Sequence, residues 1–420
     1  MKREAVQTLL LDAAKGMSVF NTHEHIIPQR EAQRTIRDLW SLFRICYVRL
    51  DMISAGMSPS LWEEGDYGWE EASPYLPAAA HTGYYRMLQG ALEDLFGIAP
   101  GPWTKSNWEE LSAAIARANA APDWYEVVLK EKANYELSIL DQYWSPGGDD
   151  FDPRYFRPTL RVDVFFNGYD VQALDRNGNC LAAMASEWGV PLESFDDLLA
   201  MFDLAFQRTV DQGGLCAKLA MAYERDLTFN PVSRKRAAAI FGKVNPSPQE
   251  IREFQDFMLY ETLARCQRFR LPLQIHTGML ARNQHSLAHT NPVQLNQLFL
   301  DYPDVKFILF HTGYPYWREG AILAKMLPNV YYDLCWLPVI SPAAADRAFD
   351  EILDLVPANK LMWGGDGHSV EESYGALLAM RKVLTKVLAR KVAAGELSFP
   401  SALELMQGIL SLNARRLFLK

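Results

Sequence analysis

Four of the chain's eight histidines fall where chemistry is expected: His23 and His25 in NTHEH, His276 in LQIHTG and His311 in FHTGYP, with Asp366 in WGGDG completing the set. His23 and His25 are two residues apart, so on an extended strand both imidazoles project to one side while Glu24 points away. Neutral imidazole nitrogens with an anionic oxygen are a ligand set for zinc and similar divalent ions. A single histidine in a strand is usually a packed core residue. Five such groups, each near the carboxyl end of a candidate strand, point instead to a metal site.

Lys218, in CAKLAMAY, sits in an apolar strand where a bare ammonium would be costly, so it must be neutral, paired or modified. Two readings stay open. A carbamate formed from its amine and carbon dioxide would bridge two metal ions; an unmodified lysine would pair with an acid such as Asp366 or bind a substrate carboxylate. Arg161, in TLRVDVFF, and Tyr223 and Arg225, after CAKLAMA, are candidates for holding a substrate carboxylate, because a planar guanidinium grips it with two hydrogen bonds. His81, His285, His289 and His368 have no fixed partner in sequence, although His368 follows Asp366 by two residues and could reach the same mouth.

Positioning these groups requires strands that end together. Strand-like runs occur at 17–26 (MSVFNTHEHI) and then at ELSILDQYW, TLRVDVFFNGY, GLCAKLAMAY, LPLQIHTG, VKFILFHTGYP, VYYDLCWL and KLMWGGDG, separated by segments long enough for crossover helices. Eight alternations of strand and helix predict an α/β chain folded as a (β/α)8 TIM barrel, whose active sites gather at the carboxyl ends of the strands. A doubly wound open sheet is the structural alternative, but it leaves the placement of the histidines unexplained. The HTG at 276–278 and its echo at 311–313 read as parallel placement on neighbouring strands. Residues 28–132 carry helical periodicity and several Trp and Tyr, which predicts a helical insertion after the first strand within one barrel spanning 1–420. That insertion roofs the site or forms a subunit interface; its composition does not choose.

The net charge of −9 and the lack of clustered Lys and Arg disfavour nucleic-acid binding. No stretch is apolar enough for a membrane span. Five widely spaced cysteines, with no CxxC, read as reduced core thiols of a cytoplasmic protein, and the amino terminus lacks the apolar core of a signal peptide. The expected partner is a small-molecule substrate, with homo-oligomerisation left open.

The series NTHEH, CAKLAMAY, LQIHTG, FHTGYPYWREG and GGDG resembles the amidohydrolase superfamily, within it the amidohydrolase 2 group and its nodulin-like, glutamine-synthetase-fused relatives. The resemblance implies a barrel in which His23 and His25 bind one metal, Lys218, when carbamylated, bridges to a second held by His276 and His311, and Asp366 binds metal and moves the proton. It implies one or two divalent ions, zinc first, with manganese or iron as alternatives. The first strand carries His-x-His where related decarboxylases have Glu-x-His, which favours hydrolysis: a metal-activated water attacking an amide, ester or lactone carbonyl. Uronate isomerases share the HxH start and a large helical insertion, which keeps one-metal isomerisation of a sugar acid, or decarboxylation of an aromatic acid, as the second reading. A catalytically silent ligand-binding barrel is the non-enzyme alternative.

Overall fold

The computed structural model describes residues 2–62, 65, 67–98, 101–281 and 285–419. Eight strands, β1 (Val19–Glu24), β2 (Tyr135–Leu140), β3 (Phe156–Arg161), β4 (Cys216–Leu219), β5 (Leu273–Ile275), β6 (Phe307–Leu309), β7 (Val330–Asp333) and β8 (Leu361–Met362), form one sheet in the order β1 to β8. A doubly wound sheet would reverse its order part-way. This one is sequential and parallel, with helices between strands, and the fold is a (β/α)8 TIM barrel.

Contacts divide the chain into two compact units. The first comprises 1–138, 280–285 and 334–416; the second comprises 139–279, 286–333 and 417–420.

In the first unit β1 meets the chain that follows β8. Thr22 N–H donates to Trp363 O (3.2 Å), Asp366 N–H to His23 O (2.9 Å) and His25 N–H to Gly367 O (2.9 Å). Gly364 makes this approach possible, since a Cβ there would stand 2.7 Å from His23 N. Among the described residues between β1 and β2 are the helices Gln29–Thr35, Leu39–Ile45, Val48–Ser54, Gly83–Phe96 and Lys105–Ala120. Positions 63, 64, 66, 99 and 100 of the expected 28–132 insertion lie outside the described residues. The helix Gly83–Phe96 packs against the long helix Val370–Ala394. Gly375 has no Cβ, and one added there would stand 2.6 Å from Met87 Sδ.

In the second unit, parallel pairing runs from β3 to β7 in one register: Arg161 lies opposite Lys218, Lys218 opposite Gln274, Gln274 opposite Ile308, and Ile308 opposite Tyr331. Strands covered on both faces read as continuous apolar runs, as with the fully buried Phe307-Ile308-Leu309. The helix Phe195–Asp211 begins with a Ser194–Asp197 capping box and buries Phe195, Leu198, Leu199, Phe202, Ala205, Phe206 and Thr209, a 3–4 residue repeat.

Two expectations about strand extent are corrected. The run TLRVDVFFNGY is strand only to Arg161; Asp163–Phe166 turns into a short helix. KLMWGGDG is strand only over Leu361–Met362, so Asp366 stands four residues beyond it. Residues 158–168 and 360–367 are buried throughout, so burial gives no period that separates strand from the turn after it. All five cysteines are free, and four are buried. Among the described residues no helix is long and apolar enough to cross a membrane.

Candidate metal centre

β1 carries His23, His25 follows directly after its end, and the loop after β8 carries Asp366. One ligand atom from each lies within 4.8 Å of the other two, and all three residues are buried. Asp366 Oδ1 stands 3.2 Å from His25 Nε2 and 3.5 Å from His23 Nε2. The two imidazoles meet edge to face, with ring centroids 4.8 Å apart. Two nitrogens and a carboxylate oxygen converging in a water-poor pocket fit a divalent ion by donor type and by spacing. Asp366 adopts φ 61°, a left-handed conformation that costs a non-glycine residue about 1–3 kcal/mol and that clusters at functional sites.

Glu24 points away from the histidines, as its place between them requires, and ties the two chain segments together. Its carboxyl group accepts from Asn21 Nδ2, from Ser373 Oγ and from Gly367 N–H (2.6 Å). Burial pushes it up to about 8, against the pull of those hydrogen bonds.

Tyr47, from the helical segment after β1, was not singled out by sequence. Its hydroxyl donates to Asp366 Oδ2 (2.9 Å) and its N–H to Glu372 Oε1 (2.7 Å). Glu372 Oε2 in turn accepts from His368 N–H (2.9 Å) and lies 3.4 Å from His368 Nδ1. His368 packs 5.3 Å from His25 and 5.0 Å from Tyr47, and Tyr84 and Trp336 continue that aromatic wall. The only sequence signal for Tyr47 was the aromatic richness of its segment.

In the second unit His276 and His311 come together at the ends of β5 and β6, ring centroids 4.1 Å apart. Burial, then the neighbouring Lys218, holds His276 well below the ordinary imidazole value, so it is neutral and able to ligate. Its Nε2 lies 3.0 Å from Met279 O; a carbonyl only accepts, so Nε2 carries the proton and Nδ1 keeps the lone pair. The two HTG runs touch: a Cβ on Gly278 would fall 2.4 Å from Gly313 C, and Thr277 Oγ1 donates to Phe310 O (2.8 Å). His311 and Thr312 take φ 63° and 54°. Lys218 is buried with Nζ 4.2 Å from the centre of the Phe310 ring.

The three substrate candidates part company. Tyr223 packs 4.8 Å from His276. Arg161 Nε and Nη2 both donate to Asp141, at 3.1 Å for Nε–Oδ2, with Asp163 at 3.9 Å; Asp141 is the ion-pair partner that the sequence did not suggest. Arg225 is paired with Asp256 (2.8 Å), donates to Thr228 O (2.6 Å) and covers the Phe229 ring.

A family model described as Amidohydrolase matches residues 149–419, more than half of the chain, including Lys218, His276, His311 and Asp366. The chain belongs to the amidohydrolase family. Amidohydrolases bind divalent metals, in keeping with the His/Asp group above. Over 176 residues this amidohydrolase is 36% identical to Protein fluG of Emericella nidulans, an alignment spanning 40% of the present chain and 20% of that protein. It is also similar in fold to a uronate isomerase of Thermotoga maritima (TM-score 0.77, 16% identity, 99% of this chain and 97% of that one). A glucuronate isomerase of Caulobacter crescentus matches at TM-score 0.76 and 18% identity, over 99% and 94% of the two chains.

Proposed function

We propose that this amidohydrolase hydrolyses an amide, ester or lactone carbonyl of a small carboxylated substrate. The observation that carries the reading is the buried His23–His25–Asp366 group. These three would hold one ion, zinc by donor type; the family pattern assigns His276 and His311, with Lys218 if carbamylated, to a second. A divalent ion in such a site supplies Lewis acidity and lowers the pKa of its water to about 7.

The chain's own groups then do the rest. In this reading Asp366 accepts the proton of the attacking water and passes it to the leaving group. Tyr47 holds Oδ2 of that carboxylate (2.9 Å), which orients Oδ1 towards His23 and His25. The aromatic wall of Tyr84, Trp336 and Tyr47 excludes water around Asp366, which strengthens each electrostatic interaction there.

The test is bound metal per chain, measured by plasma mass spectrometry on protein purified without chelator, followed by a panel of lactones, esters and amides of small acids. About two ions with turnover of one of these supports the binuclear hydrolase. No metal, even after refolding with zinc or manganese, overturns it.

A second reading, one-metal isomerisation of a sugar acid, is favoured by the end-to-end match in fold to two uronate-type isomerases. About one ion per chain, with interconversion of an aldo- and a keto-uronate, would select it over hydrolysis.

A further inference from the structure

His276 and His311 follow the carboxyl ends of β5 and β6. At the amino ends of the same two strands the second unit holds a cavity of about 370 Å³, a size that suits a small-molecule site. Leu271, Val305 and Leu417 line it, and all three are buried, which gives it an apolar base. Arg270, Asp304 and Lys306 complete the lining, the first two exposed and Lys306 half-buried.

These charges are not satisfied within the protein. Other arginines of the preceding helix, Pro248–Phe269, are paired: Arg265 with Asp203 (2.8 Å) and Glu261 (2.7 Å), and Arg268 with Asp203 (3.0 Å). Among the described residues, no hydrogen bond or ion pair engages the side chain of Arg270, Lys306 or Asp304. Two cations against one carboxylate leave one positive charge over, next to apolar surface.

Arg270 also stands where glycine is the usual choice. It ends its helix with φ 56°, whereas the left-handed residues that end Gly83–Phe96, Leu181–Trp188 and Val370–Ala394 are Gly97, Gly189 and Gly395. A larger side chain is strained there, and such strain collects at ligand clamps. The N–H groups of Arg270 and Leu271 close on Gln267 O (3.3 Å) and Cys266 O (3.0 Å), so these helix-end carbonyls, which would repel an anion, are already capped.

We propose that this cavity binds a small organic monocarboxylate, with the carboxylate on Arg270 and Lys306 and the apolar body on Leu271, Val305 and Leu417. The guanidinium offers a planar fork and the ammonium a point charge. Asp304 turns away a ligand with a second acidic end, by repulsion of like charge. The site is independent of the hydrolase reading.

The experiment is calorimetric titration of the purified holoprotein with hexanoate, its neutral analogue hexanamide and the dicarboxylate adipate, on the parent, Arg270→Gly and Lys306→Gln, with thermal melts of each. The parent should bind hexanoate in preference to the other two. Loss of a charge-assisted hydrogen bond predicts hexanoate binding weaker by about tenfold to a hundredfold in either variant. Arg270→Gly should melt no lower than the parent, because glycine takes a positive φ without strain, so binding lost there is not folding lost. A parent that does not bind hexanoate, or that binds hexanamide or adipate equally well, overturns the proposal. Parent-like hexanoate affinity in Arg270→Gly and Lys306→Gln also overturns it, since the anion is then held elsewhere.

Discussion

The hydroxyl of Tyr47 donates to Asp366 Oδ2 at 2.9 Å, and both residues are buried. The helical segment after β1 therefore contributes directly to the carboxylate that we propose as metal ligand and proton carrier.

Tyr47→Phe removes that hydrogen bond and keeps the ring packing on Tyr84 and Trp336. A hydrogen bond to a charged group contributes about 1.5–3 kcal/mol, so turnover of a substrate found by the screen should fall by about tenfold or more. Metal content should stay at the parental level. Parental turnover in this variant would mean that Oδ2 is oriented by something other than Tyr47.

His23→Ala, His25→Ala and Asp366→Asn should each lower bound metal, since the first two delete and the third discharges one of three converging candidate ligands. Chelation of the parent should lower its melting temperature, because an ion at a hundred times its Kd stabilises the folded state by about 2.7 kcal/mol. Melting curves that ignore both chelator and added zinc would contradict a structural contribution from the ion.

Gly364→Ala tests the closure of β8 on β1. The new Cβ would sit 2.7 Å from His23 N and 2.8 Å from Thr22 Oγ1, and the first of these is backbone that cannot turn aside. Urea unfolding should show a loss of about 2 kcal/mol or more, and metal content should fall with it. Unchanged stability would show that the two segments can separate at little cost.

Asp163→Asn tests a buried acid. Burial raises Asp163 to about 6, against Arg161, which lowers it. The folded state thus holds the proton more tightly than the unfolded chain, so this group's stability is present below pH about 4 and is lost as pH rises through about 6. A shift of about two units corresponds to roughly 3 kcal/mol. The variant should gain up to that amount on the parent between about pH 4 and 7, because an amide still accepts from Ala220 N–H (2.9 Å in the parent). A pH-independent difference between the two proteins would exclude Asp163 as the titrating group.

The barrel and its metal-ligand candidates were legible in the sequence because both depend on local patterns. Eight apolar runs with crossover-length spacers define the barrel. The two-residue period of a strand puts His23 and His25 on one side, and the paired HTG runs mark neighbouring strand ends. The boundaries of β3 and β8 were not legible, since residues 158–168 and 360–367 are buried throughout, whether extended or coiled. Nor were the partners. Tyr47 reaches Asp366 across 319 positions of sequence, Asp141 takes Arg161 across 20, and Arg176 finds Tyr223 by packing alone. Side-chain pairing between distant segments is set by how helices and loops pack on the strands. Residue type and spacing determined what could bind a metal; tertiary packing decided which tyrosine holds the carboxylate and how each arginine is engaged.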